Sequence, residues 1–310
     1  MRHPENIHPG HAFLVILACI MFLLLCNIDT QTSRVLDSIF EFGHFPLFGV
    51  ISVALLFIFN HGTWPAKKIR PYVYALGCTI LIGLATEIIQ IFLPERFFEL
   101  HDLFNDTLGA VVFLGFVSHL PSRAGTWMKR CCIVVICVSM TPIYISVADA
   151  VLIKRAFPGI CSFETLTETS RWQGNHAAIS RSREHATQGE HSMKVCLFNE
   201  GMYPGVSLKY LFHDWSGFTR LSMAIYLDED TPLYITIRIH DLDHNNEYND
   251  RFNRSFTLEP GINHLIIPLE EIRHAPHGRA MDMHRIENIC IFSYGLEKNK
   301  DLFIDNLRLL

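Results

Sequence analysis

The chain has 310 residues, of which 49% are apolar and 18% charged, short of the roughly one quarter of charged residues usual in soluble proteins. The deficit is one-sided: residues 1–158 hold 10 acids and 11 bases, whereas residues 159–310 hold 21 acids and 15 bases. This division excludes one uniform soluble domain and a disordered or collagen-like chain, and the mild acidity of the second half excludes nucleic acid as a partner, which needs a dense basic face.

In chain order, the first predicted elements are five apolar runs, at about 12–28, 45–60, 71–93, 103–120 and 131–153. A membrane-spanning helix needs about 20 such residues, with about 17 as the short limit. The first run follows Arg2 and His3 as a signal core would, but it is long and no small-x-small cleavage pattern follows Cys26, so a retained helix is expected. Residues 1–155 are thus expected to form an α-helical membrane domain of about five transmembrane helices in the lipid bilayer.

Loop charge predicts the orientation. Segment 64–71 carries Lys67, Lys68 and Arg70, and segment 121–130 carries Arg123, Lys129 and Arg130; segments 29–43 and 94–102 carry only Arg34 and Arg96. Basic short loops stay cytoplasmic. The amino terminus is then inside a plasma (inner) membrane crossed several times, and the carboxyl-terminal half is extracytoplasmic. Lys154 and Arg155 sit on the disfavoured side, a minor conflict because long domains translocate largely regardless of flanking charge.

Polar residues gather at the outer end of this topology. Glu87 and Gln90 fall in the last turns of the third predicted helix, Arg96 in the next loop, Asp102 and Asn105 at the start of the fourth helix, and Asp37 and His44 just before the second. Ionisable groups within a span are costly and mark functional sites by default. A structural clamp is the other reading, with Glu87 or Asp102 pairing with Arg96 and Asn105 capping its helix.

The segment ATEIIQIFLPERFFELHDLFNDTLGA carries Glu87, Gln90, Pro94, Arg96, Asp102, Asn105 and Gly109. With Asp37 and the His44–Phe45 pair, it resembles the VanZ-like membrane family over about residues 12–120. That family is named for a protein associated with resistance to teicoplanin, a glycopeptide that targets cell-wall precursors. The resemblance implies a cell-envelope setting without implying a reaction. It is weaker at its start, where Ser38 stands beside Asp37 in place of the basic residue expected there.

From about residue 160 the pattern becomes alternation. Met193, Val195 and Leu197; Leu221, Met223, Ile225 and Leu227; Leu233, Ile235, Ile237 and Ile239; and Leu265, Ile267 and Leu269 each mark one buried face at period two. Turn signals at Pro204–Gly205, Asp228–Pro232 and Pro260–Gly261 separate the runs. Residues 156–310 are therefore expected to be an all-β antiparallel sandwich. Phe163–Glu164, Trp172, the stretch Gly189–Val195, Trp215–Phe218, Pro260–Asn263 and the last run Phe303–Leu307 occur in an order that resembles carbohydrate-binding-module-like, galactose-binding-type jelly rolls. Such jelly rolls can hold a structural calcium, for which the resemblance offers Glu164 and Asp305.

Between two predicted strands lies the polar stretch His240–Phe252. Asp241, Asn245, Tyr248, Asp250 and Arg251 form a kit for fixing sugar hydroxyls against an aromatic face. A solvated hairpin with an internal Asp–Arg pair explains the same residues, since Asp and Asn favour turns. Asp241, Asp243 and Asn245 also alternate as calcium ligands do, but the glycine and distal glutamate of an EF-hand loop are missing. Of nine cysteines, six lie in apolar runs; Cys161, Cys196 and Cys290 remain, an odd set without metal spacing that is expected to stay as free thiols. No HExxH, nucleophile elbow, P-loop or dinucleotide fingerprint occurs, so no cofactor beyond that calcium is expected.

The leading expectation is a non-enzymatic envelope protein whose sandwich binds cell-wall or surface polysaccharide. Two alternatives stay open. Glu87, Asp102 and His44 could perform acid–base chemistry on a lipid-linked or cell-surface sugar, or the sandwich could be a scaffold that docks a protein.

Overall fold

The computed structural model describes residues 33–63, 66–92, 99–119 and 122–310, together with Phe13, Leu14, Ile16, Ala18 and Ile20 as single helical positions. The predicted first span lies largely outside the described residues, and so do Pro94 and Arg96. The chain divides into two compact units, Val35–Ser146 with the amino-terminal segment, and Val147–Leu310 with Gln31–Arg34.

The first unit is helical: α1 (Arg34–Phe59), α2 (Ile69–Gln90), α3 (Leu100–Phe116) and α4 (Ser122–Ser139), with α5 (Thr141–Ala156) running on into the second unit. Among the described residues, three segments are long and apolar enough to cross a membrane, namely Arg34–Phe59, Ile69–Gln90 and Arg123–Ala156. Two differences from the sequence expectation matter. Helix α1 begins eleven residues before the apolar run, so Asp37 and His44 stand on the helix and not ahead of it. Segment 122–130, expected as a loop, is helical as well. An apolar run marks depth in lipid and not helix ends; Leu36, Ile39, Phe40 and Phe42 continue the helical pattern upstream, and Ala124, Met128 and Lys129 are good helix formers.

One face of α1 is buried, through Ser38, Phe45, Phe48, Ser52, Leu55 and Leu56, at the three- and four-residue steps of a helix. Glycines let the neighbours approach closely. A Cβ at Gly109 would collide with the Phe45 carbonyl, and one at Gly49 would collide with the Phe113 ring. Phe48, Ile51, Leu56 and Ala75 form the apolar centre.

The second unit is a two-sheet antiparallel β-sandwich of the kind the alternation predicts. Its strands are β1 (Gly159–Cys161), β2 (Trp172–Asn175), β3 (Ala177–Ser182), β4 (Ser192–Leu197), β5 (Gly205–Leu208), β6 (Arg220–Leu227), β7 (Leu233–Asp241), β8 (Phe252–Leu258), β9 (Gly261–Pro268), β10 (Ile286–Phe292) and β11 (Lys300–Leu309). One sheet runs β3-β4-β11-β6-β9 with β1 paired to β11, and the other runs β2-β5-β10-β7-β8. Leu269, expected to close the β9 run, instead opens a short helix, Leu269–Arg273. Gly261 begins β9 at φ +89°, a backbone region that disfavours side chains. The alternating faces meet in a core that includes Trp215, Met193, Leu221, Ile237, Ile289 and Ile304. Cys161, Cys196 and Cys290 are unbridged. Burial pushes the Cys161 thiol up to about 12.

Candidate functional sites

In the helical unit, His44 on α1, Glu87 on α2, and Asp102 and Asp106 on α3 converge. His44 Nδ1 lies 3.0 Å from Asp106 Oδ1, and His44 Nε2 lies 3.6 Å from Asp102 Oδ2. Glu87 is fully buried; its Oε2 accepts the Glu99 amide at 3.0 Å, and its Oε1 has no partner. Asp106 is fully buried too, and its Oδ2 is likewise unpartnered. A Cβ at Gly83 would stand 2.8 Å from that oxygen, so the glycine on α2 leaves room for the carboxylate.

Of the seven residues singled out in sequence, His44, Glu87 and Asp102 meet here. Gln90 is buried near the end of α2. Asn105 is half-buried and pairs with His101 at 3.2 Å. Asp37 lies toward Glu41, which also feels Asp102, Glu99 and His101. Arg96 lies outside the described residues. Asp106 was not singled out, although it follows Asp102 by one helical turn and so shares its face.

In the sandwich, strand register assembles a second site. Ser207, Cys290, Arg238 and Asn253 form one row across β5, β10, β7 and β8. Asn175, Gly205, Phe292, Thr236 and Ser255 form the row beside it. Because side chains alternate along a strand, both rows project from the face opposite Ile237, Ile239 and Ile291, which are in the core. These rows floor a cleft of about 630 Å³, whose walls carry Tyr203, Tyr248, Arg251 and Tyr294. The three tyrosines are 53%, 67% and 61% exposed.

Among the described residues no carboxylate lines this cleft, yet two arginines do. The Arg251 guanidinium lies over the Tyr248 ring at 5.4 Å, and that of Arg238 over Phe292 at 5.5 Å. Their Nε atoms are buried and unpartnered, and neither residue forms an ion pair among the described residues. Burial, then the charge of Arg238, lowers the pKa of Arg251, as expected where two cations lack a counter-charge.

The other residues singled out in the His240–Phe252 stretch hold the loop. Asp241 is fully buried and takes a two-pronged contact from Arg279, at 2.6 and 2.8 Å, plus the Asp282 amide at 2.7 Å. Burial works to raise its pKa, but these donors outweigh burial and hold it below the usual carboxylate range. Asp250 receives Arg279 Nε and the Asn245 amide, and Arg279 first of all holds it at about 2. Asn245 in turn accepts the Glu247 amide at 2.8 Å, and Asp243 pairs with Arg285 at 3.0 Å. Tyr248 and Arg251 are thus the members of the set that line the cleft.

The residues offered for calcium are engaged with backbone. Glu164 Oε1 accepts the Glu190 and His191 amides, both at 2.9 Å. Asp305 Oδ2 accepts the amides of Thr187 and Gln188 and the Thr187 hydroxyl, at 2.6, 2.8 and 2.8 Å.

Comparisons with known proteins divide along the same line. Residues 5–120 match the VanZ/LLP1 family model. No curated protein matches the chain. Among solved structures, one similar chain is a family 11 carbohydrate-binding module from Clostridium thermocellum in complex with a β-1,3-1,4-mixed-linked tetrasaccharide; it is 20% identical over 49% of this chain and 94% of its own, with a TM-score of 0.38. An exo-β-agarase is 17% identical over 49% of this chain and 24% of its own, with a TM-score of 0.41. A family 22 xylan-binding domain is 11% identical over 48% and 91%, with a TM-score of 0.33.

Proposed function

We propose that this is a multi-pass envelope protein whose sandwich, held outside the membrane, binds an anionic glycan in the β5-β10-β7-β8 cleft. The carrying observation is the lining of that cleft. Exposed tyrosines offer flat apolar faces to sugar C–H surfaces, and Asn175, Thr236, Asn253 and Ser255 offer hydroxyl partners. Two arginines without an acid nearby favour a carboxylate, sulfate or phosphate on the saccharide, because a guanidinium fork matches such groups. A neutral sugar would leave both cations desolvated and uncompensated, which is costly.

The membrane half supports the envelope setting through its VanZ/LLP1 match and its three long apolar helices. Our reading of the topology has five spans with the amino terminus inside. Helix α3 is 17 residues long, about 26 Å at 1.5 Å per residue, close to the hydrocarbon thickness. The bases Lys67, Lys68 and Arg70, with Lys129 and Arg130, mark the cytoplasmic ends. The domain limits are residues 1–155 and 156–310 on this reading.

Two experiments test it. Full-length protein in detergent, passed over immobilised saccharides, should be retained by polygalacturonate and washed from a neutral β-glucan at moderate salt. Retention by neither removes the glycan reading, and retention by the neutral polymer alone removes the charge assignment. Alkaline phosphatase fused after residue 155 should be active and after residue 66 silent; the reverse pattern contradicts the orientation.

A further inference from the structure

The helical cluster makes a demand that the glycan reading does not meet. Glu87, Asp102 and Asp106 bring three carboxyl groups to one imidazole, and among the described residues no lysine or arginine pairs with any of them. Two of their oxygens, Glu87 Oε1 and Asp106 Oδ2, are buried without a partner. Unpaired buried carboxylates call for a cation or a proton.

The histidine geometry favours a cation. A carboxylate can only accept, so Asp106 Oδ1 at 3.0 Å selects the tautomer with hydrogen on Nδ1, and in that tautomer a neutral His44 keeps its Nε2 lone pair free. Metal-binding histidines are arranged this way, with the far ring nitrogen donating to a carboxylate that fixes tautomer and ring orientation. Nε2 faces Asp102 Oδ2 at 3.6 Å, too far for a good hydrogen bond. Two donors each about 2.1 Å from one ion, at a tetrahedral angle, stand about 3.4 Å apart. One ligand atom each from His44, Glu87 and Asp102 lie within 4.8 Å of one another, close enough for small side-chain shifts to bring all three onto one ion.

We propose that His44 Nε2, Glu87 and Asp102 bind one divalent metal ion, with Asp106 as the positioning residue that orients His44. The donor set is one nitrogen and carboxylate oxygens without sulfur, which suits Zn2+ or Mn2+ and disfavours thiophilic ions. Three protein ligands leave a coordination position open, as in metal sites that take a water or a ligand group. The cleft of the sandwich has no part in this site, so the proposal stands apart from the glycan reading.

The test uses full-length, untagged protein in detergent, stripped with a chelator and dialysed. Titration with Zn2+ should give one tight site per chain, against a background of weak binding by surface histidines. Glu87→Gln and Asp102→Asn should each weaken that site at least about 100-fold, and Asp106→Asn about 10- to 100-fold, the range for groups that support a ligand. Monodispersity and melting temperature in detergent, read on the same metal-free samples, report whether each variant still folds. Mn2+ loaded into the wild type should show nitrogen coupling from one imidazole in pulsed electron paramagnetic resonance, lost in His44→Gln. That spectrum decides the matter on wild-type protein even if a carboxylate variant fails to accumulate. Absence of a one-to-one site, unchanged affinity in Glu87→Gln and Asp102→Asn, or a Mn2+ spectrum without nitrogen coupling would each overturn the proposal.

Discussion

The two halves bury acidic groups in opposite ways. In the sandwich, Asp241 and Asp305 are almost inaccessible, and each is surrounded by donors: Arg279 and an amide for the first, three amides and a hydroxyl for the second. In the helical unit, Glu87 and Asp106 are as deeply buried, yet each keeps one oxygen without a partner. A saturated carboxylate fixes a loop. An unsaturated one in a packed helical bundle lowers stability, and such groups persist where a ligand completes them. The contrast separates structural acids from candidate functional ones by the count of donors and not by burial.

The sharpest way to break the contrast is to strip one partner from the sandwich. Arg279→Met leaves Asp241 buried and charged, and should cost about 3–5 kcal/mol of unfolding free energy, the range for orphaning a buried ion. Denaturant titration followed by Trp215 and Trp172 fluorescence measures it; a loss below about 1 kcal/mol would mean that Asp241 is solvated or protonated. In the helical unit, Gly109→Ala should disrupt packing by about 1–3 kcal/mol, because its Cβ meets the Phe45 carbonyl, and a lowered melting temperature in detergent reads this. Glu87→Gln should move the other way from Arg279→Met. Removing an uncompensated charge should leave the metal-free protein equally or slightly more stable, and a drop of several degrees would show that Glu87 is paired after all.

Acid sharpens the comparison further. Arg279 holds Asp250 at about 2 and keeps Asp241 below its ordinary value. Both are depressed in the fold, so the stability they contribute is present above the unfolded carboxylate range, near pH 4, and is lost as pH falls from there toward 2. Thermal melts of the sandwich transition between pH 5 and 2 should fall over that window, and Arg279→Met should flatten the fall. An unchanged profile in the variant would remove Arg279 as its source.

Much of this was legible in sequence, and the misses share a cause. Period-two alternation in Leu233–Ile239 and Leu221–Leu227 placed β7 and β6, because side-chain direction is a local property of a strand. His44, Glu87 and Asp102 stood out because charge is rare in apolar helices. What sequence withholds is pairing at a distance. Arg238 was visibly on the outer face of its strand, but that Cys290 and Asn253 flank it depends on register with β10 and β8. Arg279 lies 38 residues from Asp241, and nothing local links them. The acids of the His240–Phe252 stretch therefore read as ligand groups, although two of them are occupied by that arginine. Asp106 was the one miss with a local signal, one turn from Asp102 on the same helix.

The most direct measurement of the central claim is a paired calorimetric titration. An oligogalacturonate and its carboxyl-reduced counterpart, identical in linkage and length, are titrated into full-length wild type and into Arg238→Gln/Arg251→Gln. Wild type should prefer the acidic ligand by at least about tenfold, salt should weaken this binding, and the double variant should lose the preference while its melting temperature stays within a few degrees. Equal affinity for both ligands in wild type, or an intact preference in the double variant, would contradict the claim.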